Sequence, residues 1–167
     1  NMVGVDLPYL PDNLPRFEVV LGDTVTPITA RLGDSPAVNV AVAAAIGGMF
    51  CRVDITSEES VLAGFAKARA AHGQERVLVH CAQVSKGGKT IGRNKETGEF
   101  KRFSSEDYEF STRGILVASY RLASLSALGM TALEPLEDGE RGVITLTASA
   151  AAQDAQVGQV AYGSCKA

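Results

Sequence analysis

The chain has 167 residues, 46% of them hydrophobic and 21% charged, with a formal net charge of −3. That length supports a domain with a real core, and the acidic balance offers no field for a phosphate backbone, so nucleic acid is excluded as an expected partner. The longest apolar run, "AVNVAVAAAIGGMF", falls short of the roughly 20 residues that span a bilayer, and no basic segment precedes an apolar one near the N-terminus. The expectation is a soluble protein without a signal peptide, cytoplasmic or, in a eukaryote, in the mitochondrial matrix.

The opening "NMVGVDLPYLPDNLPRF" holds three of the six prolines and reads as an irregular lead-in over residues 1–16. "FEVVL" at 17–21 is a compact strand candidate and "ITARL" at 28–32 a second, with "GDTVTP" as the connector. Ser35, Pro36, an alanine-rich body and Gly47-Gly48 mark a helix with its start and stop. "MFCRVDI" reads as a strand. In "TSEESVLAGFAKARAAHG", Ser57 caps a helix whose first turn is acidic, Val61, Phe65 and Ala68 share a face, and Gly73 ends it. "RVLVHCA" is a continuous apolar strand of the kind buried on both faces of a parallel sheet. The polar, basic stretch 85–103 is a surface excursion with "ETGE" as a hairpin turn. Helical spacing returns from Ser105 to about Leu133, with Tyr108, Ile115, Val117, Leu122, Leu125 and Leu128 apolar. "EPLEDGERG" punctuates it, "VITLTAS" is one more buried strand, and a helix begins at Val160. Alternating strands and helices predict an α/β domain with a parallel sheet covered by helices.

Three cysteines, Cys51, Cys81 and Cys165, are odd in number and widely spaced, which suits reduced thiols rather than a disulfide framework. Metal is not expected, because no C-x-x-C pair occurs and His72 and His80 do not stand at ligand spacing. His80 and Cys81 are neighbours on a strand and point to opposite faces, so a buried structural thiol is the expectation for Cys81. Cys165 is read as a small residue facing the helix packing. Asp34, before Ser-Pro, is a turn former or an acidic partner for ribose hydroxyls. The cations between Lys86 and Arg102 form either a solvated loop or a patch for the phosphates of a CoA ester.

The chemistry gathers in the closing segment, where Ser149 stands thirteen residues before Tyr162 and Lys166 four after it. Residues four apart on a helix share a face, so the Lys166 ammonium can reach the Tyr162 phenol. A phenol becomes an acid or base near neutral pH only when a positive charge favours phenolate. Ser149, at the end of a strand, can donate to the same substrate oxygen. The alternative for a Tyr and Lys at this spacing is a solvent-facing pair.

"GVITLTASAAAQDAQVGQVAYGSCKA", with "FCRVDITSEESVLAGF", "ERVLVHCA" and the "GGKTIGRNKETGEFKRF" excursion, resembles the short-chain dehydrogenase/reductase family, and within it the branch of type 2 3-hydroxyacyl-CoA dehydrogenases. The resemblance implies a Rossmann-like, doubly wound parallel sheet over 17–167, incomplete at both ends. It implies NAD as cofactor and oxidation or reduction of a 3-hydroxyacyl-CoA or similar secondary alcohol or ketone. By the same resemblance Ser149 polarises the substrate oxygen, Tyr162 exchanges the proton, and Lys166 tunes Tyr162 and holds the nicotinamide ribose. Asp54 and Ile55 contact adenine, Cys81 and Ala82 line the cofactor, and Asp34 falls near the adenosine ribose. Relatives pair through the helix corresponding to Ser105–Leu133, which implies a homo-oligomer.

Departures from the pattern concentrate where the family touches its dinucleotide. The family's T-G-x-x-x-G-x-G turn, whose glycines let a helix N-terminus approach the pyrophosphate, has no counterpart in "GDTVTPITARL". An N-A-G after the fourth strand stands here as "HCAQ", so His80 replaces an asparagine and Gln83 a glycine, crowding the ribose approach. The helix asparagine that anchors a water chain aligns with Ile115. Loss of phosphate-turn hydrogen bonds, ~1.5–3 kcal/mol each, implies weakened or lost NAD binding. A non-catalytic, truncated family member serving binding or assembly is therefore the second expectation.

Overall fold

The computed structural model describes residues 18–21, 24–27, 43–44, 47–154 and 156–167. The lead-in 1–16, "ITARL" and Asp34 lie outside the described residues, as does most of the alanine-rich helix. The chain divides into two compact units, Asn1–Arg52 and Val53–Ala167.

In the first unit, β1 (Glu18–Leu21) and β2 (Thr24–Pro27) pair antiparallel, with Glu18 opposite Pro27 and Leu21 opposite Thr24. The second strand thus lies on "TVTP", which the sequence reading took as connector. The β-branched Thr-Val-Thr after Gly22-Asp23 is the signal for it, since two residues of that type suffice to join a hairpin. Ala43 and Ala44 are helical, and the chain turns at Gly47, whose amide bonds to Ala44 while Gly48 bonds to the Ala43 carbonyl. "MFCRVDI" is not a strand: residues 48–54 are irregular and 55–56 form a turn. An extended segment becomes a strand only with a ladder partner, and this one has none among the described residues.

The second unit opens with α1 (Glu58–His72). The Ser57 hydroxyl accepts the Ser60 amide at 3.2 Å, Glu58 and Glu59 complement the helix start, and Gly73 ends it at φ 79°, where side chains are strained. Val61 is fully buried and Phe65 and Ala68 are half-buried on the same face, as the spacing predicts. Ser57→Ala is expected to cost about 1 kcal/mol. A lower urea midpoint at unchanged slope is the readout, and an unmoved midpoint would rule the cap unimportant.

Strand β3 (Val77–His80) runs parallel to β6 (Val143–Leu146), with Val77 opposite Val143 and His80 opposite Leu146. A parallel pair needs a crossover. Here the crossover includes a hairpin and a long helix. The hairpin pairs β4 (Ile91–Arg93) with β5 (Phe100–Arg102), and its turn places the Asn94 amide on the Glu99 carbonyl at 2.8 Å, around the predicted "ETGE". The helix runs as α2 (Ser105–Thr112), a wide π turn at Arg113–Val117, and α3 (Ala118–Met130). Its buried stripe is Ser111, Gly114, Ile115, Ala118, Ser126 and Met130, while Tyr108, Val117 and Leu128, read as apolar positions, are exposed. The π turn inserts a residue into the 3.6 period, which moves the inward face onto smaller residues.

Arg121 ties α3 to the start of α1 by donating to the Ile55 carbonyl at 2.8 Å, and Arg69 of α1 donates to the Leu125 carbonyl while pairing with Glu75 at 2.7 Å. Burial of β3 on both faces is not observed: Val77 and Val79 are 61% and 60% exposed, and Val143 and Leu146 of β6 are exposed too. The second unit carries α3 against this two-stranded sheet, and one layer buries one face. A 3-10 turn at Ala150–Ala152 and α4 (Val160–Lys166) complete the unit. No helix among the described residues is long and apolar enough to cross a membrane.

Candidate active site

Strands β3 and β6 end side by side, and the residues that follow them build the site. The Thr147 amide and hydroxyl both donate to the His80 carbonyl, at 3.2 and 2.9 Å, which fixes the two strand ends together. Two residues on, the Ser149 hydroxyl accepts the Ala151 amide at 3.2 Å and so starts the 3-10 turn with its oxygen anchored. The loop leaving β3 is held against α4 by its main chain: Gly88 donates to the Gly158 carbonyl at 2.7 Å and accepts from Val160 at 3.3 Å. The Ser111 hydroxyl accepts the Lys86 amide at 2.9 Å, and Val84 donates to the Gly114 carbonyl at 3.3 Å.

Helix α4 presents Tyr162 and Lys166 on one side, with the Lys166 ammonium 5.9 Å from the Tyr162 ring centre. Lys166 donates to the Thr147 carbonyl, so its charge is fixed beside the strand ends. The Tyr162 phenol lies below its ordinary value: the nearby Ser149 hydroxyl is the main cause, burial opposes it, and the Gln83 side chain and Lys166 charge add to it. His80 is only 6% exposed, and burial, then the Lys166 charge, holds its imidazole below the ordinary value, so it is neutral near neutral pH. A second cation beside Lys166 is thereby avoided.

Ser149 and Tyr162 line a cleft of about 400 Å³ together with Lys86, Gln156 and Gln159, and Lys166 stands behind Tyr162 with its ammonium 5.9 Å from the ring centre. A roomier, mostly apolar hollow of about 560 Å³ lies between the hairpin and α2, near Ile91, Phe103 and Tyr108, and contains none of the three; chemistry rather than volume picks the site. Asp54 Oδ1 accepts the Thr56 amide at 2.9 Å and hydroxyl at 2.7 Å, making the turn into α1, with the carboxyl held below its usual range by the Thr56 side chain first and the Thr56 amide second. Ile55 is half-buried next to it. Cys81 is exposed, against the expectation of a buried thiol, because the strand ends at His80 and Cys81 and Ala82 begin the loop. Cys165 is buried, its thiol 3.7 Å from the Thr112 hydroxyl. Ile115 does take part in a hydrogen bond, through its main chain: its carbonyl accepts the Ser119 hydroxyl at 2.7 Å. Among the described residues no His, Cys, Asp and Glu cluster could hold a metal ion. The sequence reading missed Gln156 and Gln159, which line the cleft and whose Q-x-x-Q spacing ahead of Tyr162 was the available signal.

A parallel α/β unit with a serine just beyond a strand end and a tyrosine and lysine on the helix that follows defines the class: a Rossmann-like domain of the short-chain oxidoreductase type. The comparisons agree. The family profile described as short chain dehydrogenase matches residues 28–167, and the chain belongs to that family. It is 39% identical over 119 residues to 3-hydroxyacyl-CoA dehydrogenase type-2 of Drosophila melanogaster, covering 71% of this chain and 45% of that protein. Against the protein of the same name from Bos taurus the identity is 32% over 153 residues, covering 92% of this chain and 57% of the relative. The crystal structure of 3-hydroxyacyl-CoA dehydrogenase type-2 from Mycobacterium avium superposes with a TM-score of 0.66 at 30% identity, over 83% of this chain and 52% of that one. The chain thus spans about half the length of the relatives it matches.

Proposed function

We propose that the chain is an NAD-dependent oxidoreductase acting on a 3-hydroxyacyl-CoA or a similar secondary alcohol, or on the corresponding ketone in reverse. The observation that carries this reading is Tyr162 and Ser149 lining one cleft with the Lys166 ammonium 5.9 Å from the Tyr162 ring centre, a setting that holds the phenol below its ordinary value. In the oxidative direction Tyr162 takes the alcohol proton at its phenol oxygen; in the reductive direction it returns one to the carbonyl oxygen. Ser149 donates to that same oxygen and stabilises the charge that develops on it. Lys166 keeps the phenolate accessible and lies where a nicotinamide ribose is held.

The residues present fit a dinucleotide at both ends that can be described. Cys81 and Ala82 are exposed just beyond β3, leaving the strand end open beside Tyr162 and Lys166. Asp54 is also exposed, and both Thr56 contacts fall on Oδ1, leaving Oδ2 for a donor such as an adenine amine. When bound, the cofactor supplies the hydride donor or acceptor at its nicotinamide ring. An acyl-CoA is supported by a second cleft of about 430 Å³ that shares Gly87 with the first and is lined by Lys89, Arg93, Lys101 and Arg102, cations suited to phosphates. Self-association through the Ser105–Leu133 helix is supported by its exposed Leu116, Tyr120 and Leu128, 53%, 74% and 69% accessible.

The test titrates the purified chain with NADH, followed by heat or fluorescence, and then measures acetoacetyl-CoA reduction. Saturable binding with turnover is the expected result. No binding at millimolar NADH would return the chain to the non-catalytic alternative, a scaffold for binding or assembly.

A further inference from the structure

Resting on the oxidoreductase reading above, we propose that Gly88 is a positioning residue for Tyr162: its main chain, in the loop between β3 and β4, holds the start of α4, and its lack of a side chain lets the loop lie there. A helix begins with backbone N–H groups that have no partner inside it, and a capping side chain ordinarily takes one of them. Helix α4 has no such cap: the Gln159 side chain makes no bond to the helix amides, and its Oε1 is buried without a hydrogen-bond partner. Gly88 serves instead. Its carbonyl accepts the Val160 amide at 3.3 Å and its own amide donates to the Gly158 carbonyl at 2.7 Å, a single bridge of parallel type opposite Gln159. Tyr162 follows two residues after Val160, in the first turn of a helix seven residues long, so a shift at the helix start reaches the phenol.

The same helix also packs on the 3-10 turn that begins at Ser149, with Ala161 fully buried and Ala151 of the turn buried too. Helix α4 is thus seated twice, on the turn that carries Ser149 and on the loop at Gly88. The cleft is lined from all three parts: Gly87 from the loop, Ser149 from the turn and Tyr162 from the helix. Release of the Gly88 seat frees Tyr162 to move relative to Ser149. The need for glycine comes from the other side of the loop. A Cβ on Gly88 would overlap Cδ2 of the Phe103 ring and stand 2.5 Å from its Cε2. Phe103 is itself held, since its amide donates to the Thr90 carbonyl at 2.9 Å and the next residue, Ser104, caps α2 by accepting the Asp107 amide at 3.0 Å. A side chain at position 88 must therefore displace either the ring or the loop. A Cβ on Gly87 would meet only the Gly158 carbonyl, at 3.5 Å, so the steric requirement falls on the second glycine of the pair.

The experiment compares Gly88→Ala, Phe103→Ala and the double variant with the unsubstituted chain, each checked for folding by circular dichroism. Two readouts are taken: acetoacetyl-CoA reduction, and ultraviolet titration of phenolate with the matching Tyr162→Phe protein subtracted. Gly88→Ala should lower kcat about ten- to a hundredfold at nearly constant KM, the scale of a small misplacement of a reacting group. It should also move the Tyr162 midpoint upward, as the phenol leaves the groups that lower it. The charged side chains there, Lys166 on the same helix and Lys86 from the loop, are unaltered in every variant. In the Phe103→Ala background the same glycine change should cost less than about twofold, because the methyl then has room. Amide exchange on the unsubstituted chain needs no variant: Val160 should exchange about tenfold more slowly than the exposed Val157, or slower still. The proposal is overturned by an unprotected Val160 amide, by an effect of Gly88→Ala confined to KM, or by an undiminished loss in the Phe103→Ala background. A folded Gly88→Ala chain with neither kcat nor the Tyr162 midpoint moved overturns it as well. If the unsubstituted chain reduces nothing, the oxidoreductase reading falls; an upward Tyr162 midpoint in Gly88→Ala then still upholds the positioning role, and an unmoved one overturns it.

Discussion

Tyr162→Phe is expected to lower turnover by about 10²–10⁴-fold, the usual worth of a positioned proton donor, while leaving NADH binding and the melting transition nearly unchanged. The ring packing stays and one hydroxyl goes, at a cleft that Ser149 also lines. The pH dependence follows from the direction of the Tyr162 shift. Alcohol oxidation needs the phenolate, so its rate should rise with pH and level off above the Tyr162 value, with a midpoint below the ~10 of a free phenol. Lys166→Met removes the charge that favours phenolate and should carry that midpoint upward. A rate independent of Tyr162, measured by steady-state reduction of acetoacetyl-CoA, would reassign the proton transfer.

Gly114→Ala sets two effects against each other. Alanine is the better helix former by about 1 kcal/mol, so in open space the change should stabilise. Here a Cβ on Gly114 would stand 2.3 Å from the Val84 main-chain oxygen and 2.6 Å from its side chain. A backbone atom cannot swing away, so the loop must shift, at a cost of about 1–3 kcal/mol for overpacking. The expected result is a lower urea midpoint, with turnover impaired because the displaced loop carries Lys86, which lines the cleft with Ser149 and Tyr162. Adding Val84→Ala should fail to rescue it, since the carbonyl remains. A raised midpoint would mean that the loop does not lie across the π turn.

The parts of the fold legible in the sequence were those governed by local chemistry. Ser57, the acidic first turn and Gly73 bound α1 at its observed ends, and "ETGE" lies in the β4–β5 turn. The Ser149, Tyr162 and Lys166 spacing was legible because four residues on a helix is a fixed geometry. What escaped depended on partners distant in sequence or on small departures from periodicity. "MFCRVDI" has the composition of a strand but no ladder to join among the described residues, and "RVLVHCA" has the apolar run of a fully covered strand while its two valines are exposed. The π turn at Arg113–Val117 carries no residue signature, and of the apolar positions assigned beyond Ile115, Val117 and Leu128 lie exposed while Leu122 and Leu125 are half-buried.

That π turn also divides labour along what otherwise reads as one rod. On its N-terminal side α2 packs against α4, and Tyr108 shares a 2.7 Å hydrogen bond with Ser164; on its C-terminal side α3 packs against β3 and β6. A wide turn is a joint, and a helix with a joint need not open as a single cooperative piece. The half packed on α4 can breathe with the helix that carries Tyr162 and Lys166 while the sheet half stays closed, so amide exchange should separate the two halves of the helix into a fast and a slow population.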